Sequence, residues 1–271
     1  MNITFNKYQG TGNDFIIIDD RNLVFPVQDT DLVARLCDRR FGIGADGLIL
    51  LQPHQTSSYF MKYYNSDGKE SSMCGNGGRC IAAFALKHQV VLGKHQFMAI
   101  DGLHDAEPIA LNNQTVIRLK MQDVNTIESR PNNAYTLNTG SPHFIQFIAE
   151  PLSSINLVEQ AKQIRYNNEF KAQGINVNFI NVINSNEIVI RTYERGVEDE
   201  TFSCGTGVTA AAIGTAFFNK FQAGEHTVSI KTPGGPLSVE YTYLQEPQNQ
   251  YFKNIYLQGP ASFVFEGVIE I

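Results

Sequence analysis

Two stretches of this chain, MCGNGGRCIAAFAL over residues 73–86 and SCGTGVTAAAIGTA over residues 203–216, read as one element written twice. Each is a cysteine, a glycine-rich turn, and a run of small and apolar residues with helical character. That order places a side chain at a helix N-terminus. The match runs upstream: NSDGKESSM precedes the first cysteine and RGVEDETFS the second, so Glu70 and Glu200 each fall four residues before theirs. The duplication predicts two lobes of similar design, carrying two half-sites that face a single substrate.

Outward from these motifs the chain is mostly strand. ITFNKYQGTGNDFIIIDD alternates into a glycine turn and out through an apolar run, the pattern of strand, loop, strand. Residues 31–40 have helical spacing, with Leu32, Leu36 and Cys37 on one face. GIGADG leads into the strand LILLQ, and FMKYY delivers Asn65 to the turn before Cys74. The residues after Cys74, 81–86 among them, suit a helix buried on all sides. From about Val116 the pattern restarts with TVIRLKM, then AYTLNTGSPHFIQFI as strand, loop, strand, a helix over 157–164, and the strands NVNFINVI and EIVIRTYERG. A second helix over 206–218 follows Cys204, and the tail is strand and turn. The expected class is α+β, each half a mostly antiparallel sheet wrapped round its own helix. The expected lobes are 1–116, with 260–271 returning as a strand, and 117–259.

At 271 residues with 42% apolar and 18% charged residues, the chain can bury a core and shows no disordered tract. A net charge of −6 with scattered basic residues argues against a nucleic-acid partner. No apolar run reaches the roughly 20 residues of a membrane helix, and the polar start lacks a signal-peptide core, so the expected location is cytoplasmic. The four cysteines, Cys37, Cys74, Cys80 and Cys204, are too few for a disulfide scaffold and none has zinc-site spacing. Cys37 and Cys80 read as small buried hydrophobes.

A cysteine at a helix N-terminus meets the positive end of the helix dipole, which favours thiolate over thiol and makes a base usable near neutral pH. The glycines let the N–H groups of Gly75, Asn76, Gly205 and Thr206 approach an anion closely. Two such turns on one carboxylate would bind an α-amino acid and stabilise the charge left as its α-proton departs.

Seven motifs in order, GTGNDF from Gly10, RRFGIGADG from Arg39, YYNSDGKESSMCGNGGRC from Tyr63, GSPH from Gly140, GINVNF from Gly174, YERGVEDETFSCGTG from Tyr193 and TPGG from Thr232, resemble the diaminopimelate epimerases. The likeness spans nearly the whole chain. It implies an active site in the cleft between two lobes, a homodimer, no cofactor and no metal. The implied reaction interconverts LL- and meso-diaminopimelate: Cys74 and Cys204 act as opposed thiolate base and thiol acid, with roles exchanging by direction. The resemblance further assigns Asn13, Asn65, Asn176, Glu194 and Arg195 to the substrate, with backbone groups of Gly75, Asn76, Gly205 and Thr206 at the reacting carboxylate. His143 and Glu194 are implied as supporting groups. The chain departs from some members at Ser141, where they carry asparagine, and at Gly47, where they carry glutamine.

The nearest alternative is a proline or hydroxyproline racemase, or a phenazine-type isomerase. Proline racemases tend to a histidine where this chain has Asn76, and a cyclic substrate leaves Arg195 without a second carboxylate. A thiol redox sensor is the reading from another class.

Overall fold

A computed structural model describes residues 1–71, 73–111, 114–246 and 249–271; Ser72, inside the first cysteine motif, lies outside them. The chain forms two compact units, Met1–Leu119 with Gly259–Ile271, and Lys120–Gln258. The first contains β1 (Asn2–Gly10), β2 (Asn13–Asp19), α1 (Thr30–Cys37), β3 (Gly47–Gln52), β4 (Phe60–Asn65), α2 (Gly75–Lys87), β5 (His95–Ala99), β6 (Gly102–Leu111) and β7 (Gln114–Lys120). The second contains β8 (Ile127–Arg130), β9 (Ala134–Asn138), β10 (Pro142–Phe147), α3 (Leu157–Arg165), β11 (Asn176–Asn184), β12 (Glu187–Glu194), β13 (Asp199–Thr201), α4 (Gly205–Phe218), β14 (Gly224–Thr232), β15 (Gly235–Glu246) and β16 (Asn249–Gly259). The chain closes with β17 (Ser262–Glu270), which pairs with β1.

The two units have one topology. In the first, the strands lie in the order β17, β1, β2, β3, β4, β5, β6, β7, and the pairings run antiparallel, antiparallel, parallel, antiparallel, parallel, antiparallel, antiparallel. The second repeats that series through β8, β9, β10, β11, β12, β14, β15, β16, with β13 as a short extra partner of β12. Each parallel pair needs a crossover, and each crossover holds a helix. α1 and α2 serve the first unit, α3 and α4 the second.

Alternation along the central strands divides the core in two. Ile16, Ile18, Leu48 and Leu50 pack with Leu32, Val33, Leu36 and Cys37 of α1. The intervening Phe15 and Ile49 turn to α2, where a Cβ on Gly77 would lie 3.4 and 3.2 Å from them. α2 packs against β1, β2, β3, β6 and β17, and α4 against β9, β10, β11, β12, β14 and β15. Both cysteine-led helices are buried along most of their length. Among the described residues no helix is long and apolar enough to cross a membrane.

Four details differ from the sequence reading. α1 stops at Cys37 rather than residue 40, because Asp38 turns extended and its carboxylate accepts the N–H groups of Arg40 and Phe41. The cysteine-led helices begin at Gly75 and Gly205, directly after the cysteines. The hairpin of β5 and β6 fills a stretch that reads as no clear element. β7 pairs along its length with β6, so the first unit runs to Leu119, past the boundary expected at 116.

Candidate active site

Cys74 is the N-cap of α2 and Cys204 the N-cap of α4; both have extended backbones and neither caps its helix through the side chain. Their carbonyls accept the first helical hydrogen bonds, from Gly78 at 2.7 Å and Val208 at 2.8 Å. Each sulfur therefore stands at the start of a buried helix, next to first-turn N–H groups on small residues.

In the first unit, Asn13 reaches this point from the start of β2. Its Nδ2 donates to Asp46 at 2.7 Å, which turns Oδ1 toward Cys74 Sγ at 3.5 Å and Asn76 Nδ2 at 3.3 Å. Asp46 is held by Arg39, which also grips Asp14 with two nitrogens, and Lys7 pairs with Asp14 at 2.8 Å. Burial alone would raise the Asp14 carboxyl, but Arg39 and Lys7 outweigh it and hold it far below the usual range. Asn65 ends β4 with its side chain exposed, paired across the sheet with Gly47, next in the chain to Asp46. A side chain at Gly47 would meet the Tyr63 ring and the Tyr64 carbonyl at 2.6 Å. The Tyr63 ring and the Tyr64 carbonyl occupy the space that any side chain at position 47 would need.

In the second unit, His143 Nε2 lies 2.9 Å from Thr206 Oγ1, itself 3.4 Å from Cys204 Sγ. His143 is fully buried, and burial, followed by the charge of Arg195, pushes its pKa down to about 3, so the ring is neutral. Asn176 spends its whole amide within the protein: Oδ1 accepts from Arg195 N at 2.8 Å, and Nδ2 donates to Ser141 Oγ and the Pro142 carbonyl. Arg195 extends to the Gln173 carbonyl and Ser141 Oγ, and the Glu194 carboxylate accepts from Thr201.

Glu198 anchors the turn that presents Glu194 and Arg195. It accepts from Arg165, Tyr166, Tyr193 and the Gly196 N–H. Burial works to raise its carboxyl, but these donors overcome it and bring the pKa down to about 2. Composition and spacing gave no sign of Glu198, whose backbone takes a positive φ of 58°.

The registers align the two units residue by residue. Phe15 pairs with Gly47 as His143 pairs with Asn176, and Leu48 with Tyr64 as Val177 with Tyr193. Asn13 therefore corresponds to Ser141, Gly47 to Asn176, Asn65 to Glu194, and Asn76 to Thr206. The two upstream glutamates correspond as well: Glu70 pairs with Lys62 of β4 at 2.6 Å, Glu200 with Arg191 of β12 at 2.6 Å. Cys37 and Cys80 lie apart in the cores, their thiols pushed up to about 12 by burial. Among the described residues no three His, Cys, Asp or Glu side chains gather to hold a metal ion.

Solved structures share this fold at low identity. A Bacillus anthracis phenazine biosynthesis protein of the PhzF family superposes with a TM-score of 0.75 at 14% identity, covering 100% of both chains. A hydroxyproline epimerase from Agrobacterium vitis gives 0.65 at 11%, covering 99% of this chain and 92% of its own. Sequence likeness is far stronger elsewhere. The diaminopimelate epimerase of Flavobacterium psychrophilum is 49% identical over 263 residues, 97% of this chain and 98% of the relative. That of Chlorobaculum tepidum is 38% identical over 97% and 99%. The family profile described as Diaminopimelate epimerase matches residues 5–116 and 135–264. With both cysteine-led helices inside the matched segments and near-complete coverage of its relatives, the chain belongs to the diaminopimelate epimerase family.

Proposed function

We propose that this chain interconverts LL- and meso-2,6-diaminopimelate, supplying lysine and peptidoglycan precursors, with two thiols in place of pyridoxal phosphate or a metal. The carrying observation is that one topology, built twice, caps a buried helix with a cysteine in each copy. Inverting a stereocentre without a cofactor needs a proton acceptor and a donor on opposite sides of the carbon. Cys74 and Cys204 take these parts and exchange them with direction. The N–H groups of Gly75, Asn76, Gly205 and Thr206 receive the reacting carboxylate and the charge that develops beside it.

Arg195 takes the distal carboxylate, for which a planar guanidinium is suited. Asn176 and Ser141 steady it; Asn13, Asn65 and Glu194 take the polar ends of the substrate, and His143 supports Cys204. A proline-type substrate has no second carboxylate for Arg195, which disfavours that reading. The enzyme works in the cytoplasm, without nucleic acid, as a homodimer. Supporting the dimer, β17 pairs with β1 while its Val264 and Val268 are 52% and 64% exposed.

In deuterated water, LL-diaminopimelate should gain solvent deuterium at the epimerised carbon with no metal or pyridoxal phosphate added. Cys74→Ala and Cys204→Ala should each abolish epimerisation. Full turnover by either variant would overturn the two-thiol reading.

A further inference from the structure

The second unit carries a polar device beneath its cysteine that the first unit lacks. By register, the slots of Phe15, Ile49 and Tyr63 in the first unit are those of His143, Asn178 and Thr192 in the second. In the first unit they are filled by apolar packing, with the Phe15 and Tyr63 rings edge to face at 6.0 Å. In the second they are polar and at most 3% exposed. The frame thus folds with two aromatic rings and an isoleucine there, and burying a histidine, an asparagine and a threonine instead is costly unless every member is bonded.

Every member is bonded, and in one direction. Thr192 Oγ1 donates to Asn178 Oδ1 at 3.0 Å. The Asn178 amide is oriented by its Nδ2, which donates to the Phe144 carbonyl at 3.0 Å. The same Nδ2 lies 3.2 Å from His143 Nδ1, so that nitrogen is the acceptor. In a neutral imidazole the proton then sits on Nε2, which donates to Thr206 Oγ1 at 2.9 Å. The Thr206 hydroxyl keeps its own proton and lies 3.4 Å from Cys204 Sγ, a pair in which either atom can donate. Gly207 permits the stack: a Cβ there would lie 2.6 Å from Asn178 Oδ1 and 3.3 Å from His143 Cε1.

We propose that Thr192, Asn178 and His143 form a buried relay that fixes the Thr206 hydroxyl as a donor to Cys204 Sγ, so that Cys204 rests as thiolate. The three are positioning residues acting through Thr206, and the inference rests on the reading above that Cys204 moves the α-proton. The charged groups about the relay are few. Arg195, after β12, disfavours a second charge on His143; Glu194 is bonded to Thr201; and toward the neighbouring cavity Arg130 pairs with Glu128 and Glu169. Cys74 lies against an acceptor, the Asn13 oxygen fixed by Asp46, and away from the relay, so that thiol serves as an internal control.

The test is the pH dependence of iodoacetamide labelling of the Cys204 and Cys74 peptides, read by mass spectrometry on reduced enzyme with no substrate. Thr206→Val should raise the Cys204 midpoint by about one to two pH units, the loss of one hydrogen bond to a charge. Thr206→Ser should restore it, Asn178→Leu should shift it in the same direction as Thr206→Val, and the Cys74 midpoint should hold throughout. Nitrogen NMR of the wild-type His143 ring should show the neutral Nε2–H form from pH 7 to 5. A Cys204 midpoint unmoved in Thr206→Val, or an Nδ1–H ring, overturns the relay. The wild-type and Thr206 measurements decide the matter even where Asn178→Leu does not fold. Because labelling needs no substrate, failure of the relay and failure of diaminopimelate epimerisation are separate results.

Discussion

His143 is a base kept neutral by its surroundings, and that has a price in acid. Its unfolded value is near 6.5 and its folded value about 3, so between these the unfolded chain binds a proton that the native state refuses. The stability it confers is complete above about 6.5 and drains away as pH falls toward about 3. His143→Gln should therefore narrow the gap between urea midpoints measured at pH 7.5 and pH 5. The gap should shrink rather than vanish, since burial also lowers His88 and His95. The residues that govern this behaviour differ in legibility. His143 stands out beside its glycine turn in GSPH. Asn178 is hidden in NVNFINVI, where a polar residue inside a strand reads as solvent-facing, and only the register reveals that it points at α4's first turn.

The turn between β12 and β13 shows how an element sets a side chain. Glu198 draws together Arg165 and Tyr166 at the end of α3, Tyr193 on β12 and the Gly196 amide, and so fixes the backbone that bears Arg195. Glu198→Gln should loosen that turn, raising KM for diaminopimelate by about tenfold and leaving kcat within a few-fold, as steady-state kinetics would show. Its carboxyl contribution to stability is present above about 4.5 and is lost as pH falls through about 2, a window that begins lower than that of His143 and overlaps its acid end. β1 to β4 and β9 to β12 are legible as alternating or continuous apolar runs between turns, the continuous runs marking strands such as β3 that bury both faces. The pattern is lost at β6, where exposed and half-buried positions mix, and at β5, whose buried positions are His95, Phe97 and Ala99, only one of them a large apolar residue. It also overruns α1, whose helical spacing continues past Asp38 although that carboxylate ends the helix locally.

At the scale of the molecule, the duplication was legible because glycine and cysteine are constrained: a helix start that must approach an anion tolerates few other residues. What stands beside those helix starts was not legible, because Asn13 reaches Cys74 from β2 and His143 reaches Thr206, the neighbour of Cys204, from β10. The four thiols divide accordingly. Cys37 and Cys80 are buried and pushed up to about 12, so a disulfide reagent at pH 8 should titrate two thiols in the native enzyme and four after denaturation. Three or four fast thiols in the native state would contradict the core placement of Cys37 and Cys80.

The sheathing of α2 and α4 by their sheets has one more consequence. A helix on a surface presents its dipole to mobile ions, and at 0.15 M salt its field fades within about 8 Å. Here the helix bodies are enclosed in hydrocarbon, and Cys204 is only 8% exposed, so little electrolyte can gather at its N-terminus. The labelling rate of Cys204 at fixed pH should stay within about twofold from 20 mM to 500 mM sodium chloride. The protein thereby insulates its acid–base chemistry from the ionic strength of its surroundings.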